Sequence, residues 1–280
     1  MNINQTALYI LLISIAAIST QCNNKTSTDD LLPKQGICAH RGENQIHPEN
    51  TISAFKEAIR LGAHMIEFDV RMTKDKKLVI MHDKSVDRTT NGSGLVKELT
   101  FDEIRKLDAG SWKSEKFLGE KVPTLEETLE IMPNNIWLNV HLKGNAELGE
   151  ATTKVLIEKN CIKQAVIACN NEVLEGVRKI SPDILICNME RQSNRAKYVE
   201  ETISGKFAFI QLLQKRKDET LADDLKKLNK SKVLVNYFHA ETPQETADLF
   251  NIGVNFILTN HLEQMLNVAD SLGIEPTRTN

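Results

Sequence analysis

Little in this chain points to nucleic acid. Lysine and arginine (35) do not outnumber aspartate and glutamate (38), and the net charge is −3. Acids and bases are interleaved rather than blocked, so there is no extended basic field for a phosphate backbone. Cysteine is sparse too, with five in 280 residues, and it lacks the close spacing of a disulfide framework. Cys38, Cys161, Cys169 and Cys187 are therefore expected to be buried free thiols. A run long enough to cross a bilayer is also missing. The apolar stretch ALYILLISIAAIS covers only residues 7–19, whereas a spanning helix needs about 20 residues. No repeat occurs, and no low-complexity segment beyond the polar linker at 23–33.

That apolar stretch instead suits the core of a signal peptide, with Cys22 placed just after it for lipidation. The preceding MNINQT lacks lysine and arginine, and Gln21 is bulky for the residue before a cleaved bond. Plain secretion and an uncleaved anchor are the alternatives. The expected organisation is a lipoprotein-type signal over 1–22, a linker over 23–34 and a catalytic unit over 35–280. The protein would then be exported, periplasmic or on the outer surface, and held to the membrane only through Cys22.

What is present from residue 36 onward is alternation. Strand-like runs at GICAHRG (36–42), HMIEFDV (64–70), WLNVHL (137–142), QAVIAC (164–169), DILICNM (183–189), FAFIQLL (207–213), KVLVNYF (232–238) and NFILTN (255–260) are mostly followed by amphipathic helical stretches. LVIMHD (78–83) follows the second run across a hairpin-like TKDKK turn. Residues 84–123 break the rhythm and read as a loop-rich insertion. About eight β–α units predict a closed (β/α)8 TIM barrel, with an open doubly wound sheet as the alternative.

In such a barrel the reacting groups lie at the C-terminal strand ends, and polar residues collect there. The first run ends in His40-Arg41. Glu67 and Asp69, two apart on one strand, share a face. His82-Asp83 closes the hairpin run. On WLNVHLKG, Asn139, His141 and Lys143 point one way and Val140 and Leu142 the other. Two carboxylates facing one mouth repel unless a cation or basic side chains lie between them. Hard carboxylate oxygens suit Ca2+, Mg2+ or Mn2+. Arg41 offers a planar fork for phosphate, Lys143 a point charge, and the histidines titrate near neutral pH. Together these are parts for metal-assisted phosphoester cleavage.

The run AHRGENQIHPENTISAFKEAIRLGAHMIEFDVRMTKDKKLVIMHDKSVDRTTNGSGLV (39–96) resembles the glycerophosphodiester phosphodiesterase family, with HRG, PENT, E-x-D, HD and RTTNGSG in order and with matching gaps. VPTLEE (122–127) and GVNFILTN (253–260) extend the resemblance. It implies a (β/α)8 barrel with a small insertion, and a small phosphodiester substrate. It implies catalytic roles for His40 and His82, phosphate contacts for Arg41 and Lys143, and metal ligation by Glu67 and Asp69. Glu49 reads as a residue that orients its neighbours, with Asp83 and Asn236 in support. RTTNGSG lies between no strand and helix, so it reads as a turn rather than a nucleotide-binding loop.

Two places depart from the resemblance. His141 stands where the family carries glutamate as third metal ligand, and near the end LTN replaces I-T-D. His141 is expected to be the third ligand, moving preference toward Mn2+ or Zn2+. It would otherwise contact phosphate or a substrate hydroxyl, or mark a site that binds phosphorylated ligands without turnover. The expected function is a metal-dependent hydrolase that releases an alcohol and glycerol 3-phosphate, or acts on a related sugar or polyol diester. The alternative is a non-catalytic envelope lipoprotein binding phosphorylated ligands.

Overall fold

A computed structural model of the chain describes residues 32–190, 194–214, 219–240 and 242–278. The 7–19 run and Cys22 lie outside them. Nine strands alternate with nine helices among the described residues. The strands are β1 (Gly36–His40), β2 (Met65–Met72), β3 (Leu78–Ile80), β4 (Trp137–Leu142), β5 (Ala165–Cys169), β6 (Leu185–Asn188), β7 (Phe209–Leu213), β8 (Leu234–Phe238) and β9 (Phe256–Thr259). Eight of them are parallel neighbours in the order β1-β2-β4-β5-β6-β7-β8-β9, and β1 pairs with both β2 and β9, which closes the barrel. The closed alternative is therefore the right one. β3 is antiparallel to the end of β2 and stands outside the ring, so the 78–83 run adds a hairpin rather than a barrel strand.

Strand alternation sorts the two faces. Cys38, Met65, Trp137, Phe209 and Phe256 fill the barrel interior. Ile37, Ile66, Val140, Ile210 and Val235 face outward into the core shared with the helices. The latter include α1 (Ile52–Leu61), α2 (Phe101–Lys106), α3 (Leu125–Glu130), α4 (Ala146–Glu158) and α5 (Asn171–Ile180). α6 (Arg195–Ser204), α7 (Leu221–Lys230), α8 (Pro243–Asn251) and α9 (Leu262–Ser271) complete the outer ring. No helix of the described residues is long and apolar enough to cross a membrane.

The stretch after β3 builds its own small core from Val79, Met81, Val86, Val96, Ile104 and Val122. In it, Ser85 and Leu95 form an isolated bridge, and the intervening RTTNGSG turns back on itself as expected. Cys38, Cys161, Cys169 and Cys187 are free and buried.

The floor of the barrel, at the N-terminal strand ends, is tied by the first and the last of the described residues. Leu32 enters the interior cluster, and Trp137 Nε1–H donates to Pro33 O at 2.8 Å. At the other end, Thr277 Oγ1 donates to Ala63 O at 2.6 Å. His64 sits between: its Nδ1 accepts from Ile37 N at 3.1 Å and its Nε2 lies 2.9 Å from Glu275 O. Its ring leaves no room for a side chain at Gly36, where a Cβ would stand 2.2 Å from His64 Cγ.

Candidate active site

The register of β1, β2 and β4 sets the site. His40 pairs with Glu67, Glu67 with Asn139, and Asp69 with His141. Glu67 Oε1 and Asp69 Oδ1 thus converge on His141 Nδ1, at 3.5 and 3.4 Å. Lys143 Nζ reaches Asp69 Oδ1 at 3.3 Å. These separations are long for hydrogen bonds. The two from His141 match cis donors around one ion, about 3 to 3.6 Å apart at ordinary Mg–O and Ca–O lengths; Lys143, an ammonium, is a charge neighbour and not a ligand.

A second observation bears on whether a cation fits. Asp69 is fully buried and its Oδ1 accepts no hydrogen bond; the Lys143 ammonium faces it at 3.3 Å, and its lone pairs stay open to a metal ion. One donor atom each from Glu67, Asp69 and His141 lies within 4.8 Å of the others. Two carboxylates and an imidazole fit a divalent ion, and exchanging a carboxylate for imidazole favours Mn2+ or Zn2+ over Ca2+. Burial pushes His141 down in pKa, with Lys143 adding to the effect, so the ring is neutral and able to ligate. Burial opposes ionisation of Asp69, but the positive charges facing it, that of His141 when protonated and those of Lys143 and Arg41, outweigh it and hold the carboxyl below the usual carboxylate range.

HRG and PENT lock together beside this cluster. Arg41 adopts a left-handed backbone (φ 57) and Gly42 another (φ 80). At Gly42 a Cβ would stand 2.8 Å from the Ala54 backbone, so the close approach of this turn to α1 requires glycine. The turn aims Arg41 N–H at Glu67 Oε2 (3.0 Å) and Arg41 Nη1 at Glu49 Oε1 (2.7 Å). Asn50, also left-handed at φ 59, donates to Asp69 Oδ2 at 3.0 Å. Thr51 caps α1. Each letter of PENT from glutamate onward therefore has a physical task.

The two histidines are each held by Nδ1. His82 Nδ1 lies 2.6 Å from Asp83 Oδ1. Arg88 grips Asp83 and Glu49 together, donating Nε to Asp83 Oδ2 (2.7 Å) and Nη2 to Glu49 Oε1 (2.7 Å). Hydrogen bonding from Arg88 keeps the Asp83 carboxyl well below its ordinary range, against a smaller upward push from partial burial. His40 Nδ1 lies 2.6 Å from Asn260 Oδ1, and its ring packs edge-on against Phe238. Burial pushes the His40 pKa down.

The structure therefore brings together His40, Arg41, Glu49, Glu67, Asp69, His82, Asp83, His141 and Lys143 at the strand ends. Asn236 lies apart. It is buried on β8, opposite Gln211 in register, and its Oδ1 accepts no hydrogen bond. Asn188 and Glu190 also serve elsewhere: Asn188 donates to Thr202 Oγ1 at 2.9 Å, and Glu190 accepts from Asn171 N at 2.8 Å at the start of α5. Sequence reasoning gave no role to Asn50, Arg88 or Asn44, although PENT and RTTNGSG contain the first two. It noted Asn260 as a polar strand end and as part of the LTN departure, without a role.

Comparison with known proteins gives the family. Residues 40–264 match the glycerophosphoryl diester phosphodiesterase family model. A glycerophosphodiester phosphodiesterase of Caldanaerobacter subterraneus subsp. tengcongensis is 45% identical over 54% of this chain and 64% of its own length. One from Bacillus subtilis is 42% identical over 44% of this chain and 46% of its own. These matches thus span less than two thirds of either relative. The structure of an Oleispira antarctica phosphodiesterase in complex with the product sn-glycerol-3-phosphate superposes with a TM-score of 0.74 at 26% identity, covering 87% of this chain and 99% of that one. With a match running through nearly the whole barrel, this chain belongs to the glycerophosphoryl diester phosphodiesterase family.

Proposed function

We propose that the protein is a divalent-metal-dependent phosphodiesterase that hydrolyses glycerophosphodiesters to an alcohol and glycerol 3-phosphate by histidine acid–base chemistry. The observation that carries this reading is the pair of histidines, each fixed through Nδ1, beside a carboxylate–imidazole cluster. A protein that only binds phosphorylated ligands needs no such couple. The activity of the relatives and the glycerol 3-phosphate bound to the Oleispira phosphodiesterase support the substrate class.

Burial favours neutral His40, so its Nε2 takes the proton from the attacking oxygen as the P–O bond forms. His82, oriented by Asp83, delivers a proton through Nε2 to the departing alcohol oxygen as the second P–O bond breaks. Arg41 and Lys143 meet the phosphate oxygens, Arg41 held in place by Glu49 and its own strained backbone. A divalent ion held by Glu67, Asp69 and His141 supplies positive charge against the phosphate. For export we adopt the lipoprotein reading, supported by the apolar 7–19 run and Cys22.

The test is a panel of glycerophosphodiesters assayed with Ca2+, Mg2+, Mn2+ and Zn2+, with a chelator control and His40→Ala. Cleavage that requires metal and is lost in His40→Ala is the expected result. No cleavage under any metal, alongside retained binding of glycerol 3-phosphate, would replace this reading with the non-catalytic one. Loss of lipid labelling in Cys22→Ala tests the anchor.

A further inference from the structure

A cavity of about 580 Å³ opens beside the metal cluster, on the far side of Lys143. Three separate pieces of chain wall it: the end of β2 with the turn after it, the stretch 84–97, and the start of α4. Its lining is cationic. Arg71, Lys74, Lys84, Lys97 and Lys143 contribute side chains, and Glu147 is the one acidic residue among them. Glu147 is already engaged, by Lys76 at 2.7 Å. Lys74, Lys84 and Lys97 are exposed and pair with no carboxylate of the described residues. This concentration of positive charge stands out in a chain whose net charge is −3.

Two further features make the cavity more than a solvated basic face. Asn145, the cap residue of the thirteen-residue α4, lies on its wall, so the positive end of the helix dipole adds to the field. Lys143 belongs to both spaces: it lines the cavity and approaches Asp69 Oδ1 at 3.3 Å. Arg71 stitches the boundary, donating Nε to His82 O at 3.0 Å and Nη1 to Lys143 O at 3.1 Å. A group attached to a phosphate on Lys143 and His82 thus has the cavity directly beside it. The volume falls in the range of small-molecule sites.

We propose that this cavity receives the leaving alcohol of the substrate, and that the preferred diesters are those whose alcohol carries a second anionic group, such as a phosphate. The proposal rests on the hydrolase reading above. It makes Lys84 and Lys97, from the stretch after β3, determinants of specificity. Like charges held unpaired around one space repel, and a bound anion relieves that repulsion.

The experiment compares two diesters sharing the glycerol phosphate half, one with choline as the alcohol and one with glycerol phosphate as the alcohol. The full-length chain should favour the anionic diester by about threefold to tenfold in kcat/KM, mostly through KM, as expected for a few partly exposed charge contacts. Lys84→Ala/Lys97→Ala should bring the ratio toward one. Removing the same charge on α7, with Lys226→Ala/Lys230→Ala, should preserve it. Raising ionic strength from about 0.05 to about 0.5 M should shrink it. Equal rates for both diesters in the unmodified chain, or a preference that survives Lys84→Ala/Lys97→Ala, would overturn the proposal. Should neither diester be cleaved, the hydrolase reading fails, and the affinities of the same two diesters decide the cavity: tighter binding of the anionic one, lost in the double variant, upholds an anion subsite, and equal affinities sink it.

Discussion

His40 carries its proton on Nδ1 because of Asn44, a residue that does not touch the ring. Asn44 Nδ2 donates to His40 O at 2.8 Å and to Asn260 Oδ1 at 2.7 Å. Asn260 Oδ1 is thereby an acceptor, so the 2.6 Å contact to His40 Nδ1 takes its hydrogen from the imidazole. The Nε2 lone pair is left bare for a substrate proton. A neutral amide holds the tautomer here without adding charge.

Asn260→Leu should therefore lower kcat by about 10- to 100-fold with little change in fold, since the ring loses its tautomer and orientation. Asn260→Asp should restore much of the rate and move the acid limb of the pH–rate profile upward. Burial keeps the His40 pKa below its ordinary value, and a carboxylate on Nδ1 raises it. A limb that stays put in Asn260→Asp would contradict the assignment of His40 as base.

His141→Glu should change which ion supports turnover. A third carboxylate restores a hard oxygen set, so Ca2+-supported activity should rise relative to Mn2+- and Zn2+-supported activity. Titrating chelated protein with each ion reads affinity separately from rate. An unchanged order of ions would remove His141 from the ligand set.

Arg88 ties the Asp83 that orients His82 to the Glu49 that holds Arg41. Arg88→Ala should cost about 10- to 100-fold in kcat through lost positioning. Arg88→Lys should recover little, because one ammonium cannot fork to two carboxylates. Stability measured alongside should fall far less than activity.

His64 gives the fold a pH dependence of its own. Burial lowers its folded pKa, and protonating Nδ1 would set a second N–H against Ile37 N–H. Below about pH 6.5 the unfolded chain takes up a proton that the folded chain refuses, so stability is full above that pH and falls as pH drops. His64→Gln should flatten the acid side of a Tm-against-pH curve. Gly36→Ala should destabilise by about 1–3 kcal/mol at all pH values through collision with the His64 ring.

The parts of the site that could be read from the sequence were those whose chemistry is local. His40 and Arg41 are adjacent, Glu67 and Asp69 share one strand face, and His82 and Asp83 meet side by side. Strand alternation correctly placed Asn139, His141 and Lys143 on one face. Arg88 was hidden because its partner Glu49 is 39 residues away, and Asn44 because Asn260 is 216 residues away. No periodicity signals such pairs; only closure of the barrel brings them together. Asn236 is buried on β8 with its Oδ1 unbonded, and no contact assigns it a task. The cationic cavity was equally invisible, its lysines being scattered over three segments that read as ordinary solvated turns.

The floor contacts have a bearing on orientation. Leu32 and Pro33 lie against Trp137 at the start of β4, while His40 and His82 lie at the opposite ends of the strands. Residues joined ahead of Leu32 would thus start from the face opposite His40 and His82 and leave the mouth of the barrel clear for a substrate.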